Sequence, residues 1–324
     1  MTTLEAIHST IAPELKRLNE QMSAQLSTSN VLMNRVVESQ LSAKGKQIRP
    51  VIVILCSKLF GCANDKTIAS AAAVELLHNA TLIHDDVVDD SKTRRNRPTI
   101  NSIWDNHIAV LVGDYFVSCA MQQAISTGDI RIIDALCHLG KLLSLGEIDQ
   151  IYNARYHTLT EEAYYNIISN KTASLFVACA KMGCYAAGVF DNRVDSLAEF
   201  ARLLGLCFQI RDDIFDYFVS DAIGKPTSND LREGKITLPL LHTLLREDLP
   251  GHEAMSELSR KEILDDAEIA VLTSYAIDNG GIDYAFDEMQ RLRSEAAGVL
   301  AGFPDSEIKA SLLALFDYII ARDH

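Results

Sequence analysis

The chain has 324 residues and a formal net charge of −14 at pH 7. So acidic a chain lacks the basic surface that nucleic-acid-binding proteins need, and its charge opposes attraction to anionic lipid. Hydrophobic residues make up 48% of the sequence, which is enough for a substantial core in one large domain or two smaller ones.

The cysteines and the apolar runs indicate a cellular compartment. There are seven cysteines, an odd number with no CxxC pair, and most lie in apolar helical patterns. This usage is typical of reduced, buried thiols in a reducing compartment. The first residues, MTTLEAIHST, lack the basic and apolar segments of a secretory signal. Apolar runs such as Val51–Cys56 are far shorter than the ~20 residues of a transmembrane helix. The sequence predicts a soluble cytoplasmic protein with no transmembrane segment and no nucleic-acid partner.

Proline positions and hydrophobic periodicity predict the fold class. No proline occurs between Pro98 and Pro226, and the chain there is apolar at helical intervals. Sustained period-two alternation, the pattern of strands, is missing. We therefore expect an all-α protein in which residues 1–324 form a single domain.

The N-terminal part is predicted to hold two amphipathic helices in residues 4–40, separated near Ser27–Asn30. An apolar helix, Val51–Phe60, follows, and Lys46 and Arg49 lie where it opens. The free N–H groups of a helix start favour anions. An ordinary solvated loop explains the same residues equally well.

The next predicted helix, Thr67–Asp90, ends in an acidic cluster. Its last residues read LIHDDVVDD and include Asp85, Asp86 and Asp89. Asp85 and Asp89 lie on one helical face, where like charges repel and destabilise the helix. Mg²⁺ is commonly shared between one or two carboxylates and substrate phosphates, so it is a plausible compensating charge.

The residues one helical turn before the aspartates determine how much space there is beneath the aspartates. Helical side chains lean toward the N-terminus, and Ala80 and Thr81 are both small. A tunnel that passes them is therefore expected to be open. His78, on nearly the same face, is either a satisfied core group or a ligand.

A basic loop and two more helices follow. Lys92, Arg94, Arg95 and Arg97 either neutralise the acidic helix end or bind phosphate oxygens in the forked geometry that arginine provides. Helices are predicted over Ile100–Ser126 and Arg131–Tyr156, and we assign Glu147 and Gln150 in the second only a supporting role. Another helix is expected to begin at Asn170, where a Lys–Thr pair would cap it.

A second acidic cluster repeats the spacing of the first. Phe208–Tyr217 reads FQIRDDIFDY and carries Asp212, Asp213 and Asp216. One DDxxD is typical of a solvated helix face. Two copies flanked by large apolar residues must face a cavity or a metal, since an unpaired buried charge is costly. The hypothesis is that the two clusters face each other around a metal-bound diphosphate.

The last segments are a long loop and further helices. The loop Ser220–Leu240 is long enough to be functional or disordered, and its Lys225, Arg232 and Lys235 are candidates for a lid over an anion. Residues 241–324 are predicted to be helical, and Asp265–Asp266 are interpreted as solvated surface.

Taken together, these motifs resemble the trans-isoprenyl diphosphate synthases along nearly the whole chain. Each motif is modest alone, but their order and spacing are specific. They are GKQIRP (Gly45–Pro50), ELLHNATLIHDDVVDD (Glu75–Asp90), RRNRPT (Arg94–Thr99), LVGDY (Leu111–Tyr115), GEIDQ (Gly146–Gln150), KTASLF (Lys171–Phe176), FQIRDDIFDY (Phe208–Tyr217), GKP (Gly224–Pro226) and DLREGKITLP (Asp230–Pro239).

The resemblance implies a fold and a reaction. The fold is a bundle of mostly antiparallel helices around a deep central cavity (the isoprenoid synthase fold), usually homodimeric. The reaction is the condensation of an allylic diphosphate, farnesyl or geranyl, with isopentenyl diphosphate. It uses Mg²⁺, three ions with substrate bound, and its product passes to membrane enzymes. Ala80 and Thr81 resemble the chain-length positions of medium- and long-chain synthases, which implies a product of about 30–50 carbons.

The resemblance also implies residue roles. The metal ligands would be Asp85, Asp86, Asp89, Asp212 and Asp216. The allylic substrate would contact Arg94, Lys171, Thr172, Gln209, Lys225 and Lys235, and isopentenyl diphosphate would contact Lys46, Arg49, His78 and Arg95. The residues nearest the chemistry would be Asp85, Asp86, Asp89, Arg94, Lys171, Asp212 and Lys225.

Two alternative functions fit part of this pattern. A class I terpene cyclase also ionises a prenyl diphosphate at a DDxxD, but usually has an Asn/Ser/Glu triad in place of the second aspartate cluster. A non-catalytic subunit of a heteromeric synthase typically loses one cluster, and both are intact here.

Overall fold

A computed structural model describes residues 3–42, 45–94, 97–156, 160–218 and 228–322. Their secondary structure is helical except for a ladder of two short antiparallel strands, β1 (Thr93–Arg94) and β2 (Arg97–Pro98). The prediction of an all-α protein is confirmed. The α-helices described are α1 (Thr3–Thr10), α2 (Ala12–Leu26), α3 (Val31–Ser42), α4 (Ile48–Lys58), α5 (Asp65–Val88), α6 (Ile100–Ile103), α7 (Asn106–Ser126), α8 (Ile130–Tyr156), α9 (Glu161–Ile168), α10 (Ser174–Ala186), α11 (Arg193–Phe215), α12 (Asn229–Arg232), α13 (Leu238–Leu244), α14 (His252–Ser259), α15 (Asp266–Asp278), α16 (Gly281–Leu300) and α17 (Glu307–Ala321).

Several predicted boundaries are wrong, and one further helix, α12, lies within the predicted loop Ser220–Leu240. Residues 4–40 contain three helices rather than two, and the segment Ile100–Ser126 is divided between α6 and α7. The division occurs because the Asp105 side chain accepts a hydrogen bond from Ile108 N and begins a new helix. No helix begins at Asn170, because Ser169–Ala173 is a π-turn that continues α9 directly into α10.

The backbone divides into two compact units. The first contains Met1–Gly140, Leu175–Ala201 and Gly302–Leu315, and the second contains Lys141–Ser174, Arg202–Ala301 and Phe316–His324. The first acidic cluster therefore belongs to the first unit and the second cluster to the second unit. That the whole chain acts as a single domain stays a prediction.

The core of the first unit is built around α5. This helix packs along α7 and also contacts α2, α4 and α6. Its start is fixed by a capping box, in which the Asn64 side chain accepts from Thr67 N and the Thr67 side chain accepts from Asn64 N. All six residues of Val51–Cys56 on α4 are fully buried. Burying large apolar side chains stabilises a fold by about 1.5–3 kcal/mol each, so α4 holds α5 firmly.

In the second unit, α13 is the central element. It packs against α9, α14, α15 and α16, and Leu238, Leu240 and Leu241 are buried. A Cβ at Gly281 would lie 2.1 Å from the carbonyl oxygen of Pro239, so only glycine permits the close approach of α16 to α13.

Helix α7 also has the length and composition to cross a membrane. Among the described residues it alone meets that criterion, with a mean hydropathy of 1.4, and 44% of its apolar window is buried within the protein. Core helices of water-soluble proteins meet the same criterion. The prediction that the chain has no transmembrane segment therefore stays a prediction.

Candidate active site

The first acidic cluster lies at the C-terminal end of α5. Asp86 is buried and 7% exposed, whereas Asp89, the C-cap residue, is exposed. Asp86 Oδ1 accepts a hydrogen bond of 2.7 Å from Arg94 Nε. Because Arg94 is on β1, the short ladder folds the predicted phosphate-binding arginine back onto the cluster. The buried carboxylate and the guanidinium balance each other's charge.

The backbone at this helix end is also held in place. The Asp86 carbonyl accepts hydrogen bonds from Ser91 N at 2.9 Å and from Asn101 Nδ2 at 3.1 Å. Asp90 follows with a left-handed φ of 47°, a conformation that aspartate tolerates better than most residues. These contacts turn the chain sharply after the cluster.

Gly113 of the LVGDY motif makes room for a side chain beside the cluster. A Cβ at Gly113 would lie 2.1 Å from His84 Nε2, and that nitrogen lies 3.2 Å from the carbonyl oxygen of Val110. The sequence pattern did not predict this contact. The glycine inside an apolar helix was its only signal.

The structure describes three of the residues predicted to bind isopentenyl diphosphate, and all three lie in the first unit. Lys46 precedes α4, and its carbonyl oxygen is 3.2 Å from His8 Nε2. Arg49 lies in the first turn of α4, with its guanidinium 5.8 Å from the centre of the Phe176 ring. His78 lies on α5, and Arg95 lies outside the described residues.

The backbone between Lys46 and Arg49 is strained. Gln47, the N-cap of α4, has a left-handed φ of 48°, although it is not glycine, and strain of this kind concentrates at functional sites. The two residues predicted to influence chain length lie on α5, in the helix predicted for them. Ala80 is fully buried, and the half-buried Thr81 donates a hydrogen bond to the carbonyl oxygen of His78.

The second acidic cluster lies at the end of α11. Asp212 forms an ion pair with Arg322, a residue that no sequence pattern indicated. The Arg322 guanidinium also donates to the carbonyl oxygen of Phe208 at 3.1 Å and lies 4.1 Å from the centre of its ring. No motif surrounds Arg322, so only the tertiary structure reveals this partner.

Asp213, the middle residue, is buried and held by uncharged groups. It accepts hydrogen bonds from the Tyr164 hydroxyl at 2.6 Å and from Gln209 Nε2 at 2.8 Å. Burial raises the pKa of Asp213 to about 7, although these hydrogen bonds lower it, and the charges of Asp212 and Asp216 add to the rise. Gln209 Oε1 in turn accepts a hydrogen bond of 2.6 Å from Thr172 Oγ1.

Asp216 joins the cluster to the described part of the predicted lid loop. Its carboxylate accepts hydrogen bonds from Asn229 N at 2.9 Å and from Asp230 N at 3.0 Å. Burial raises the pKa of Asp230 well above its usual range, and the charges of Asp213 and Asp216 add to this. Asp230 was also missed, although it begins the DLREGKITLP motif.

A cavity of about 150 Å³ in the second unit brings several predicted residues together. Lys171 Nζ lies 2.5 Å from Glu147 Oε2 and 2.5 Å from Gln150 Oε1. Lys235 Nζ lies 2.5 Å from Glu233 Oε2. The polar side chains that line the cavity include Lys171, Thr172, Gln209, Asp213, Asp230 and Lys235.

The remaining predicted residues are placed elsewhere. Arg94 belongs to the first unit, and Lys225 lies outside the described residues. Arg232, a predicted lid residue, forms an ion pair with the exposed Asp266 at 2.5 Å. The prediction that the Lys171–Thr172 pair caps a helix is wrong, because no helix begins there and the Thr172 hydroxyl donates to Gln209 instead.

The donor set of the clusters suits a hard cation. Carboxylate oxygens are the ligands that Mg²⁺ and Ca²⁺ prefer. Within the described part of the chain, no three His, Cys, Asp or Glu side chains form a complete metal cage. Mg²⁺ usually binds through one or two carboxylates plus substrate phosphates, so the aspartates fit an ion that is shared with a diphosphate.

Comparison with known proteins identifies the family. The family model for polyprenyl synthetase matches residues 30–275. The octaprenyl diphosphate synthase of Haemophilus influenzae is 30% identical over 100% of this chain and 98% of its own.

Solved structures match along the whole length. A polyprenyl synthase from Caulobacter crescentus, complexed with calcium and isoprenyl diphosphate, matches with a TM-score of 0.92 and 29% identity over 99% of this chain and 98% of its own. A decaprenyl diphosphate synthase from Rhodobacter capsulatus matches with a TM-score of 0.90 and 30% identity over 98% of both chains. The predicted isoprenoid synthase fold is thereby confirmed.

The resemblance seen in the motifs is therefore supported by the family model, by relatives that match the whole chain and by the fold. The chain belongs to the polyprenyl synthetase family, and it is a prenyltransferase of the medium- to long-chain polyprenyl diphosphate synthase type.

Proposed function

We propose that the chain condenses an allylic diphosphate, farnesyl or geranyl, with isopentenyl diphosphate in an Mg²⁺-dependent reaction. The observation that carries the proposal is the cavity of the second unit, because four residues predicted for the allylic diphosphate, Lys171, Thr172, Gln209 and Lys235, line it together. Two ammonium groups beside hydrogen-bonding side chains suit an anionic diphosphate.

The acidic clusters would hold the metal. Asp85, Asp86 and Asp89 with Asp212 and Asp216 are the proposed ligands, and three ions are proposed with substrate bound. Magnesium supplies Lewis-acid stabilisation of the departing diphosphate. Donors aimed at the leaving group favour the transition state over the ground state. Arg94, Lys171, Lys225 and Lys235 are proposed to supply these contacts from the protein.

The second substrate would bind in the first unit. Lys46, Arg49 and Arg95 are the proposed cationic contacts of isopentenyl diphosphate, with His78 beside them. The N-terminus of α4 lies at this position, and the positive end of a helix dipole favours an anion. An apolar surround must exclude water from the allylic cation until the alkene of isopentenyl diphosphate attacks it.

The product length is proposed to be about 30–50 carbons, because the small side chains of Ala80 and Thr81 put little bulk in the path proposed for the growing chain beneath the aspartates. Ala80→Phe is expected to shorten the main product, since the ring would block that path. Chromatography of dephosphorylated products measures the length, and Thr81→Ser, which keeps the position small, is the matched control. An unchanged length in Ala80→Phe would contradict the tunnel.

A homodimer is proposed from the surface of α7. Val110, Leu111, Met121 and Ile125 are exposed by 41–63%, although large apolar side chains are normally buried. A second copy is the proposed partner for this surface. Leu111→Asp is expected to give monomers in sedimentation analysis.

We further propose a cytoplasmic enzyme that passes its product to membrane enzymes.

One incubation tests the reaction. Purified protein is mixed with farnesyl or geranyl diphosphate and labelled isopentenyl diphosphate, with Mg²⁺ or with excess chelator. Label in long all-trans prenyl diphosphates, only with Mg²⁺, supports the proposal. Cyclic hydrocarbons without incorporated label would indicate a terpene cyclase. Complete inactivity until another subunit is added would indicate a heteromeric synthase.

A further inference from the structure

The pair Lys171–Thr172 lies in an irregular part of the second unit. The helical segment from Glu161 to Ala186 is interrupted by the π-turn Ser169–Ala173, in which Ser174 N donates to the carbonyl oxygen of Ser169, five residues earlier. A π-turn adds one residue to a helix and is frequent at functional sites. Here the extra residue changes the direction in which Lys171 and Thr172 leave the helix.

The backbone of the π-turn rests directly on Gly146 of α8. A Cβ at Gly146 would lie 2.7 Å from Lys171 N, 3.0 Å from Lys171 Cα and 3.1 Å from Asn170 C. These are backbone atoms, which cannot move aside as the end of a flexible side chain can. Glycine is less stable than alanine inside a helix, so its presence here has a local cost that the close contact explains.

The same turn of α8 also contacts the other end of Lys171. Glu147 Oε2 and Gln150 Oε1 each lie 2.5 Å from its ammonium nitrogen. The GEIDQ motif thus contacts Lys171 at two places. Gly146 packs against its backbone, and Glu147 and Gln150 bind its ammonium group. Lys171 is therefore held both at its backbone and at its ammonium group, so its side chain has little freedom to adjust if the backbone is misplaced.

We propose that Gly146 is a positioning residue for diphosphate binding. Its missing side chain lets α8 approach the π-turn closely and thereby sets how far Lys171 reaches into the cavity. This inference rests on the proposed role of Lys171 in binding the allylic diphosphate.

The test compares two identical substitutions in one helix. Gly146→Ala is the variant, and Gly140→Ala is the control, because a Cβ at Gly140 of α8 meets nothing within 4 Å. Misplacement of a binding group by ~1 Å can cost ~100-fold in activity. Gly146→Ala is expected to raise the KM for the allylic diphosphate about tenfold or more, while the KM for isopentenyl diphosphate stays near wild type. Gly140→Ala is expected to leave both constants unchanged.

A double variant separates positioning from general damage. If Gly146 acts through Lys171, then Gly146→Ala has little further effect on allylic KM once Lys171→Ala is present. An additive loss in the double variant, or a normal allylic KM in Gly146→Ala, overturns the proposal.

A second variant covers the case in which Gly146→Ala does not fold. Deletion of Asn170 removes the extra residue of the π-turn, and the segment is expected to become a regular helix with unchanged helical circular dichroism. The deletion is expected to weaken allylic diphosphate binding as much as Lys171→Ala does. Wild-type binding by the deletion variant overturns the proposal.

Failure of this inference is distinguishable from failure of the proposed function. If Lys171→Ala itself has a normal allylic KM, the proposed substrate site is wrong. If Lys171→Ala is impaired while Gly146→Ala behaves like Gly140→Ala, only the role of Gly146 is wrong.

Discussion

The two acidic clusters have the same spacing but different surroundings. In both, the middle carboxylate is the most buried, with Asp86 7% and Asp213 3% exposed. Asp86 is paired with the guanidinium of Arg94, whereas Asp213 is held by the uncharged Tyr164 and Gln209.

This difference has an electrostatic consequence. An arginine partner balances the charge of a buried carboxylate, whereas a hydroxyl and an amide only provide hydrogen bonds. Burial accordingly raises the pKa of Asp213 to about 7. The more exposed residues, Asp85 and Asp89 in the first cluster and Asp212 and Asp216 in the second, are better placed to reach a metal ion. A repeated DDxxD therefore marks two sites that are anchored differently.

The largest expected effect on activity comes from Asp89, the exposed residue of the first cluster. Asp89→Asn removes a proposed metal ligand, so kcat/KM is expected to fall roughly 10²–10³-fold, with little change in melting temperature. Steady-state kinetics over a range of Mg²⁺ concentrations measures it. Asp90→Asn is the matched control, because asparagine tolerates the left-handed backbone there and only an exposed pair with Lys92 is lost. Equal activity of the two variants would argue against a metal site at Asp89.

The second cluster offers an intermediate effect. Tyr164→Phe removes a hydrogen bond that holds Asp213 between the proposed ligands Asp212 and Asp216, and disturbing the support of metal ligands typically costs ~10–100-fold in metal affinity or activity. The Mg²⁺ concentration for half-maximal activity is expected to rise accordingly. Tyr165→Phe, which loses a hydrogen bond to Glu288 instead, is expected to behave like the wild type. A rise in both variants would show that the effect is not specific to the cluster.

The smallest effects are on stability, and they are expected to have opposite signs. Asp86→Asn leaves the Arg94 cation without its charged partner and is expected to destabilise the protein by about 1–3 kcal/mol. Asp213→Asn is expected to stabilise the metal-free protein at alkaline pH. Thermal unfolding in chelator measures both variants.

The sign for Asp213 follows from proton linkage. The folded pKa of about 7 lies above the unfolded value of about 3.9, so the folded state binds the proton more tightly. The Asp213 side chain therefore makes folding less favourable as pH rises from about 4 to about 7, and the penalty is complete above that range. The gain from Asp213→Asn should grow between these values. A gain that is independent of pH would contradict the assignment.

The sequence was most informative where a pattern has a local cause. The helical class follows from apolar periodicity and proline placement, and the acidic clusters follow from spacing along single helices. Boundaries failed where side-chain capping or a π-turn decided them, as at Asp105 and at Ser169–Ala173. Tyr164, Asp230 and Arg322 were missed because their partners are distant in sequence or carry no pattern.

The sequence by itself determined that this protein is helical and that it carries two DDxxD clusters, because each of these features depends on near neighbours in the chain. Only the tertiary structure decided which carboxylates are buried, that Arg94 and Arg322 pair with different positions of their clusters, and that Gly146 admits the backbone of Lys171. These depend on the distance between atoms brought together by packing, and no local periodicity encodes that distance.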